Sequence, residues 1–271
     1  MVSQNSLPFV FDKAAGSRVG VLLRRGNGSD TKWFDLPDGC MIFHSLGAWE
    51  AEERASSEEG GSCDGVPHAS SRKNTLVLLA CRMERFSLEM PPMGKHREHD
   101  PRAIDGGSPV LTRFEFDLSS GACSQRILVP LPPNVSGMDF PRAHPALTGR
   151  KLRWGYLALF QGLVIGSLAK IDVDKGAISA RIDFPGDSTG GEPCFVPRVP
   201  GAPSSAAEED DGWVLTVVSS LHASSIWVVD AKDMAVLAVL PLPCRVSWGT
   251  HSTFLTEEEL ALQKSPDVKA L

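Results

Sequence analysis

Residues 168–184, LAKIDVDKGAISARIDF, read as a strand, an aspartate, a tight turn and a second strand. Asp and Gly are favoured in hairpin turns because they tolerate the backbone angles of the turn and Asp bonds locally to the backbone. Two other stretches have the same order, RFEFDLSSGACSQRIL (113–128) and IWVVDAKDMAVLAVLPL (226–242). The sequence therefore predicts three β-hairpins of one design.

The spacing of these hairpins favours one architecture. Their aspartates follow one another at intervals of 55 and 58 residues, at Asp117, Asp172 and Asp230. A β-propeller repeats a four-stranded unit about every 40–50 residues, and long loops lengthen that period. A β-sandwich would show turn signals without such a long-range repeat. We therefore predict an all-β fold, a partial β-propeller domain of about four blades that extends over residues 1–271.

Some segments depart from the strand pattern. Helical spacing occurs only in TEEELALQ (256–263), where Thr256 can cap a short helix near the C-terminus and Glu259 can complete a capping box. Three polar stretches without periodicity are expected to be surface insertions or disordered loops, near residues 50–74, 89–108 and 197–212.

Composition excludes several classes of protein. The 271 residues carry a net charge of −6 with a pI near 5.7, which argues against a nucleic-acid partner. Six cysteines without CxxC pairs indicate neither a structural zinc site nor a disulfide scaffold, so a reducing compartment is expected. The chain has no apolar run of the roughly 18 residues that a membrane-spanning helix needs, and no targeting segment is visible.

Two histidines lie in apolar and aromatic surroundings next to Ser residues. His44 stands in FDLPDGCMIFHSLGAWE (34–50), and His251 stands in RVSWGTHSTF (245–254). Each is either a core residue with satisfied hydrogen bonds or part of a site. In a propeller, side chains at such positions can point into the central channel, where two histidines could share a metal. Imidazole suits iron, zinc, copper or nickel, and spacing does not choose among them.

Glu192 is the third polar residue in an apolar setting. It stands between two glycines and a proline in GGEPCFVP (190–197), just before an apolar strand. A carboxylate drawn inward there needs a hydrogen-bond donor. That donor is a backbone amide, an arginine or a metal-bound imidazole.

Several motifs in one order resemble the carotenoid cleavage oxygenases, most of all the nine-cis-epoxycarotenoid dioxygenase branch. The resemblance covers nearly the whole chain and is to the C-terminal half of that family. The similar segments include LPFVFDKAAGSRVGVLLR (7–24), KWFDLPDGCMIFHSLGAWE (32–50), MDFPRAHPALTGRKLRWGYLAL (138–159), GGEPCFVP (190–197) and RVSWGTHSTF (245–254).

The resemblance implies a fold and a chemistry. The family fold is a seven-bladed β-propeller in which four histidines hold a non-heme Fe(II), and O2 adds across a double bond of a carotenoid or apocarotenoid to give two carbonyl products. His44 and His251 then correspond to iron ligands, and Glu192 to an acid that orients a ligand imidazole. Asp139 stands where the family has Glu, so we expect a longer or missing bond from its shorter side chain. A plastid or cytoplasmic location is expected.

The N-terminal half of the family has no counterpart in this sequence, and two hypotheses follow. The other two ligand histidines of the family lie in an N-terminal half, and peripheral membrane contact could also occur through that half. His144 and His222 are not in matching motifs, so we expect them to be surface or strand residues. The first hypothesis is an incomplete copy of an iron-dependent dioxygenase. The alternative is an inactive, non-enzymatic propeller fragment. Retinoid isomerohydrolases share the fold, so isomerase chemistry also stays open.

Overall fold

The computed structural model describes residues 11–51, 74–86, 107–201, 203, 205, 208–247, 249 and 251–263. This part of the chain is mostly β-strand with one short α-helix, as the sequence predicts. Its strands are β1 (Arg18–Val21), β2 (Lys32–Asp35), β3 (Met41–Glu50), β4 (Thr75–Met83), β5 (Val110–Asp117), β6 (Cys123–Ile127), β7 (Gly137–Arg142), β8 (Trp154–Gln161), β9 (Val164–Asp172), β10 (Ala177–Asp183), β11 (Cys194–Pro197), β12 (Gly212–Ser219), β13 (Ser224–Asp230) and β14 (Val236–Pro241).

The strands form four antiparallel sheets. β1 pairs with β2, and the other strands form three four-stranded sheets in chain order, which we name blade A (β3–β6), blade B (β7–β10) and blade C (β11–β14). Each blade is an up-and-down meander, because consecutive strands are joined by hairpins or loops and pair side by side. Three full blades and a two-stranded sheet confirm the predicted partial β-propeller.

The three repeated hairpins join the last two strands of each blade. In each turn, the carboxylate of the aspartate accepts a hydrogen bond from a backbone N–H two or three residues later, at 2.8 Å for Asp117, 3.1 Å for Asp172 and 2.8 Å for Asp230. The left-handed position of the turn is a glycine in blades A and B and Met234 in blade C, with φ of 64°. The periodicity of the sequence thus marks equivalent positions in successive blades.

The core consists of apolar layers between neighbouring sheets. One layer packs blade A against blade B and includes Leu79 and Leu157, and a second packs blade B against blade C and includes Leu168 and Val214. A third layer lies between blade A and the β1–β2 sheet. Face-to-face packing of this kind stacks the blades and brings their first strands, β3, β7 and β11, to positions from which neighbouring blades can contribute to one site.

The short helix α1 (Glu257–Gln263) begins as predicted. The backbone N–H of Thr256 donates to Glu259 Oε2 at 2.8 Å, and the N–H of Glu259 donates to Thr256 Oγ1 at 3.2 Å, which is a capping box. Within the described residues, the structure has no helix with the length and hydropathy needed to cross a bilayer.

The three predicted insertions differ in outcome. Those near 50–74 and 89–108 lie almost entirely outside the described residues. The stretch 197–212 is not a purely surface loop, because Glu209 and Asp210 are buried against blade B. Glu209 accepts hydrogen bonds from the backbone N–H groups of Arg153 and Trp154 at 2.7 and 2.6 Å. The charged residues of the stretch 197–212 therefore include buried carboxylates with hydrogen-bond or ion-pair partners as well as solvent-exposed side chains.

Candidate metal centre

His44 lies on the first strand of blade A, in an irregular part of it. The pairing of β3 with β4 shifts twice between Ile42 and Gly47, on either side of this histidine. Such shifts let a strand redirect a side chain that regular alternation would send elsewhere. The His44 ring is half-buried and points towards β7 of blade B, where Asp139 receives it.

Asp139 binds His44 closely. Its Oδ1 lies 2.9 Å from Nδ1 of His44 and also accepts the backbone N–H of Phe140 at 2.8 Å. The expectation of a longer or missing bond from this shorter side chain is therefore wrong. The backbone of β7 is irregular here: it carries an extra residue between Asp139 and Arg142, and Phe140 adopts a left-handed φ of 53°.

Two carboxylates near His44 favour the protonated form of its imidazole relative to free histidine. The hydrogen bond to Asp139 raises the pKa of His44, and the charges of Asp139 and Glu192 act in the same direction against burial. Burial, together with the nearby Asp139 carboxylate, raises the pKa of the Cys81 thiol well above its usual value.

Glu192 lies just before β11 and is almost fully buried, with 3% of its side chain exposed. It contacts all three kinds of donor that the sequence leaves open. Arg142 lies 2.8 Å from Oε1, the backbone N–H of Ser252 donates to Oε2 at 2.8 Å, and Nδ1 of His251 is 3.4 Å from both oxygens. Glu192 is within reach of His251, as expected, although its shortest contacts are to the other two donors.

The two histidines come together although they are more than two hundred residues apart in the sequence. Their ring centroids are 5.2 Å apart with the planes at 73°. Phe140 packs beside both rings, with centroid distances of 5.0 Å to His44 and 5.7 Å to His251. Blades A and B and the segment after blade C thus meet at this pair.

The donor set suits a metal ion. A carboxylate beside Nδ1 holds the proton there, so that a neutral imidazole presents the lone pair of Nε2 to a metal. Both histidines have their Nδ1 facing a buried carboxylate. Among the described residues, no group of three or more His, Cys, Asp or Glu side chains is arranged to hold a metal ion. The described part of the chain therefore offers two ligand positions at this pair.

A cleft and His144 lie apart from the pair, whereas a small cavity borders it. A cleft of about 950 Å³ between blades A and B is lined by Trp49, Arg113 and Lys151 among others and contains none of the four predicted site residues. A smaller cavity of about 130 Å³ borders Glu192 and His251. His144 is buried and caps a short 3₁₀ turn, where its Nδ1 accepts the N–H of Ala146 at 3.2 Å. The expectation of a surface or strand position is wrong for His144.

Sequence reasoning missed Phe140 and Arg142, which contact the site from the same strand as Asp139. Both lie within MDFPRAHP (138–145), and a signal was present there: an arginine three residues after an inward-facing acid. In a regular strand the side chains of Asp139 and Arg142 would point to opposite faces, so a shared location at the site becomes visible only when the bulge is known.

The chain matches known proteins over almost its whole length. The family model described as "RPE65: Retinal pigment epithelial membrane protein" matches residues 1–256. The carotenoid 9,10(9',10')-cleavage dioxygenase 1 of Pisum sativum is 32% identical over 97% of this chain and 46% of its own length. The 9-cis-epoxycarotenoid dioxygenase NCED6 of Arabidopsis thaliana, named as chloroplastic, is 31% identical over 94% of this chain and 38% of its own length.

A solved structure agrees at the level of the fold. Cobalt-substituted Synechocystis ACO, an apocarotenoid oxygenase, superposes with a TM-score of 0.66 at 21% identity, covering 90% of this chain and 44% of that one. The chain spans less than half the length of each of these three proteins. The chain belongs to the RPE65 and carotenoid cleavage dioxygenase family, which is the family that its sequence motifs indicate.

Proposed function

We propose that this chain is part of an Fe(II)-dependent dioxygenase that cleaves one double bond of a carotenoid or apocarotenoid with O2. The observation that carries the proposal is the adjacent pair His44 and His251, each with Nδ1 facing a buried carboxylate in a family of carotenoid-cleaving enzymes. The overall reaction needs no further reactant, because the two oxygen atoms of O2 become the two carbonyl oxygens of the products.

His44 and His251 would bind the iron through Nε2. When bound, Fe(II) supplies O2 activation. Asp139 and Glu192 hold the Nδ1 protons, fix the ring orientations and partly offset the charge of the cation. The Phe140 ring covers one side of the pair and limits the access of water there. The solved Synechocystis relative is a cobalt-substituted protein, which supports a divalent metal in this fold.

The number of metal ligands limits what we expect of this polypeptide by itself. Two imidazoles are half of the four that the family resemblance implies, and Fe(II) lies low in the affinity order of divalent metals. We therefore expect the isolated chain to hold little iron and to cleave no carotenoid, which is the behaviour of a non-enzymatic fragment. Activity would require the region that supplies the other two ligands.

Substrate and location are part of the same proposal. The relatives named above act, by name, on carotenoids, so an apolar polyene is the proposed substrate. Some relatives are named as chloroplastic, which supports a plastid location, with the cytoplasm as the other candidate. Peripheral contact with a membrane, the source of such a substrate, would come from the part of the enzyme beyond this chain.

A domain exchange tests the proposal. The region of the Pisum sativum dioxygenase that this chain matches is replaced by residues 1–271, and the chimera is analysed for iron and for apocarotenoid products. We expect iron binding and aldehyde products, both lost in His44→Ala and His251→Ala. A folded chimera that binds iron equally well without either histidine would contradict the proposal. Isomerised products without cleavage would instead identify isomerase chemistry.

A further inference from the structure

Arg142 makes contacts that neither the family resemblance nor the predicted ligand set assigns. Its terminal Nη2 lies 2.8 Å from Glu192 Oε1 and donates to the backbone carbonyl of Ser252 at 3.4 Å. Glu192 in turn accepts the N–H of Ser252. Arg142 and Glu192 thus form hydrogen bonds with both the carbonyl oxygen and the N–H of Ser252, the residue that directly follows His251.

The orientation of the His251 ring depends on its contact with Glu192 more than the orientation of the His44 ring depends on its contact with Asp139. The side chain of His251 is 55% exposed, whereas that of His44 is 24% exposed. His44 belongs to a paired strand, but residues 251–256 have no regular secondary structure. Its Nδ1 is 3.4 Å from Glu192, compared with 2.9 Å between His44 and Asp139. The orientation of His251 therefore relies on the Glu192 carboxylate being held in place.

The bulge at Phe140 puts Arg142 on the side of the site. Side chains three residues apart point to opposite faces of a regular strand. Here β7 advances three residues, from Asp139 to Arg142, while β8 advances two, from Ala158 to Tyr156. The extra residue, with Phe140 at a left-handed φ of 53°, brings both side chains to one face. A strained φ at a non-glycine residue persists where the surrounding structure enforces it, often at a functional site.

We propose that Arg142 is a positioning residue that fixes Glu192 and the His251 segment, so that one strand, β7, aligns both imidazoles towards a shared metal. The metal part of this inference rests on the proposed function. The positive charge of Arg142 also neutralises one of the two buried carboxylates at the pair. The two effects oppose each other in a metal-binding experiment, because misplacing His251 weakens binding whereas removing a nearby cation strengthens it.

The first test measures imidazole geometry without any metal. Histidine labelled with ¹⁵N is observed by NMR in the full chain at about pH 8.5, above the ordinary histidine pKa. Signals are assigned with His44→Gln and His251→Gln. We expect Nδ1–H tautomers for both rings in the wild type. In Arg142→Gln, His251 should shift towards the Nε2–H tautomer that prevails in free histidine, while His44 stays unchanged.

Arg153→Gln is the matched control. Arg153 also pairs with a buried carboxylate, Asp172, at 3.1 Å, and the Nε atoms of Arg153 and Arg142 are both buried without a hydrogen-bond partner in the described part of the chain. Loss of this second ion pair should leave the His251 tautomer as it is. An unchanged His251 in Arg142→Gln, or equal changes of His44 and His251 in both variants, would overturn the positioning role.

The second test measures affinity for Ni²⁺, which binds imidazole more tightly than Fe(II) does. We expect Arg142→Gln to weaken binding to the full chain about tenfold, at the lower end of the effect of losing a ligand's hydrogen-bond partner. Arg142→Lys, which keeps the charge without the planar fork, should recover less than half of this loss on a logarithmic scale. Tighter binding by Arg142→Gln would mean that the arginine acts only through its charge. Absence of binding in the wild type would refute the proposed metal centre, and the tautomers would still decide the role of Arg142.

Discussion

The buried ion pair between Lys170 and Asp210 should be a main link between blades B and C. Lys170 lies on β9 with 1% exposure, and its Nζ contacts Asp210 Oδ2 at 2.5 Å and the backbone carbonyl of Lys232 at 2.7 Å. The same Nζ lies 4.0 Å from the ring centroid of Trp154. Asp210 and Lys232 belong to the loops of blade C, so a single ammonium group connects the two sheets.

Lys170→Met tests this link. Methionine has a similar length and no charge, so that Asp210, with 12% of its side chain exposed, loses the cation that contacts it. Removing one partner of a buried pair costs about 3–5 kcal/mol, because it leaves an uncompensated buried charge. With an m-value of about 2–3 kcal/mol/M in urea, the unfolding midpoint should fall by about 1–2.5 M.

Urea denaturation followed by tryptophan fluorescence measures the effect, with two comparison variants. Lys170→Met/Asp210→Leu removes both charges and should recover most of the loss. Lys175→Met removes an exposed lysine 3.9 Å from Asp172 and should cost less than about 1 kcal/mol. A cost below about 1 kcal/mol for Lys170→Met, or a double variant as unstable as the sum of its single changes, would mean that this ion pair does not link the two blades.

Two further predictions concern carboxylates of the described chain. Glu192→Gln should weaken Ni²⁺ binding about 10–100-fold, because an amide holds the Nδ1 proton of His251 less strongly than a carboxylate does. Calorimetry measures the affinity, and an unchanged affinity would contradict the role of Glu192 in orienting His251. Burial acts to raise the pKa of Asp172, but hydrogen bonds from Arg153 and the backbone N–H of Lys175 outweigh it and lower that pKa. A carboxyl group whose pKa is lowered by folding contributes stability above its unfolded pKa, near 4, and this stability is lost as the pH falls. Asp172→Asn should therefore be less stable at pH 7 and should lose less stability between about pH 4 and 2. An acid-unfolding profile equal to that of the wild type would contradict this.

The hairpin periodicity was enough to predict the fold class. Asp117, Asp172 and Asp230 occupy one position in successive blades because each turn needs a local hydrogen-bond acceptor, and this need is visible in the sequence. The number of complete blades was not visible in the same way, because about four were expected and the described residues form three four-stranded sheets and one two-stranded sheet. The insertions conceal this number, and apolar runs alone do not show where pairing stops.

The candidate site was predictable in part, for physical reasons. His44, His251 and Glu192 stand out as polar residues in apolar runs, and such residues need partners wherever they are buried. The reach of Asp139 and the position of Arg142 were not predictable, because both depend on a bulge that reverses the alternation of side chains on β7. A positive φ at a phenylalanine has no local sequence signal of the kind that glycine provides.

According to the proposed function, His44 and His251 bind one metal ion together through Nε2. X-ray absorption spectroscopy of the chain loaded with Co²⁺ tests this shared binding, because scattering from imidazole rings reports how many histidines bind the metal. We expect two imidazole ligands at about 2.1 Å in the wild type, one in His44→Ala or His251→Ala, and none in the double variant. Two imidazoles that persist when either histidine is removed, or a wild-type shell of oxygen ligands alone, would contradict the claim.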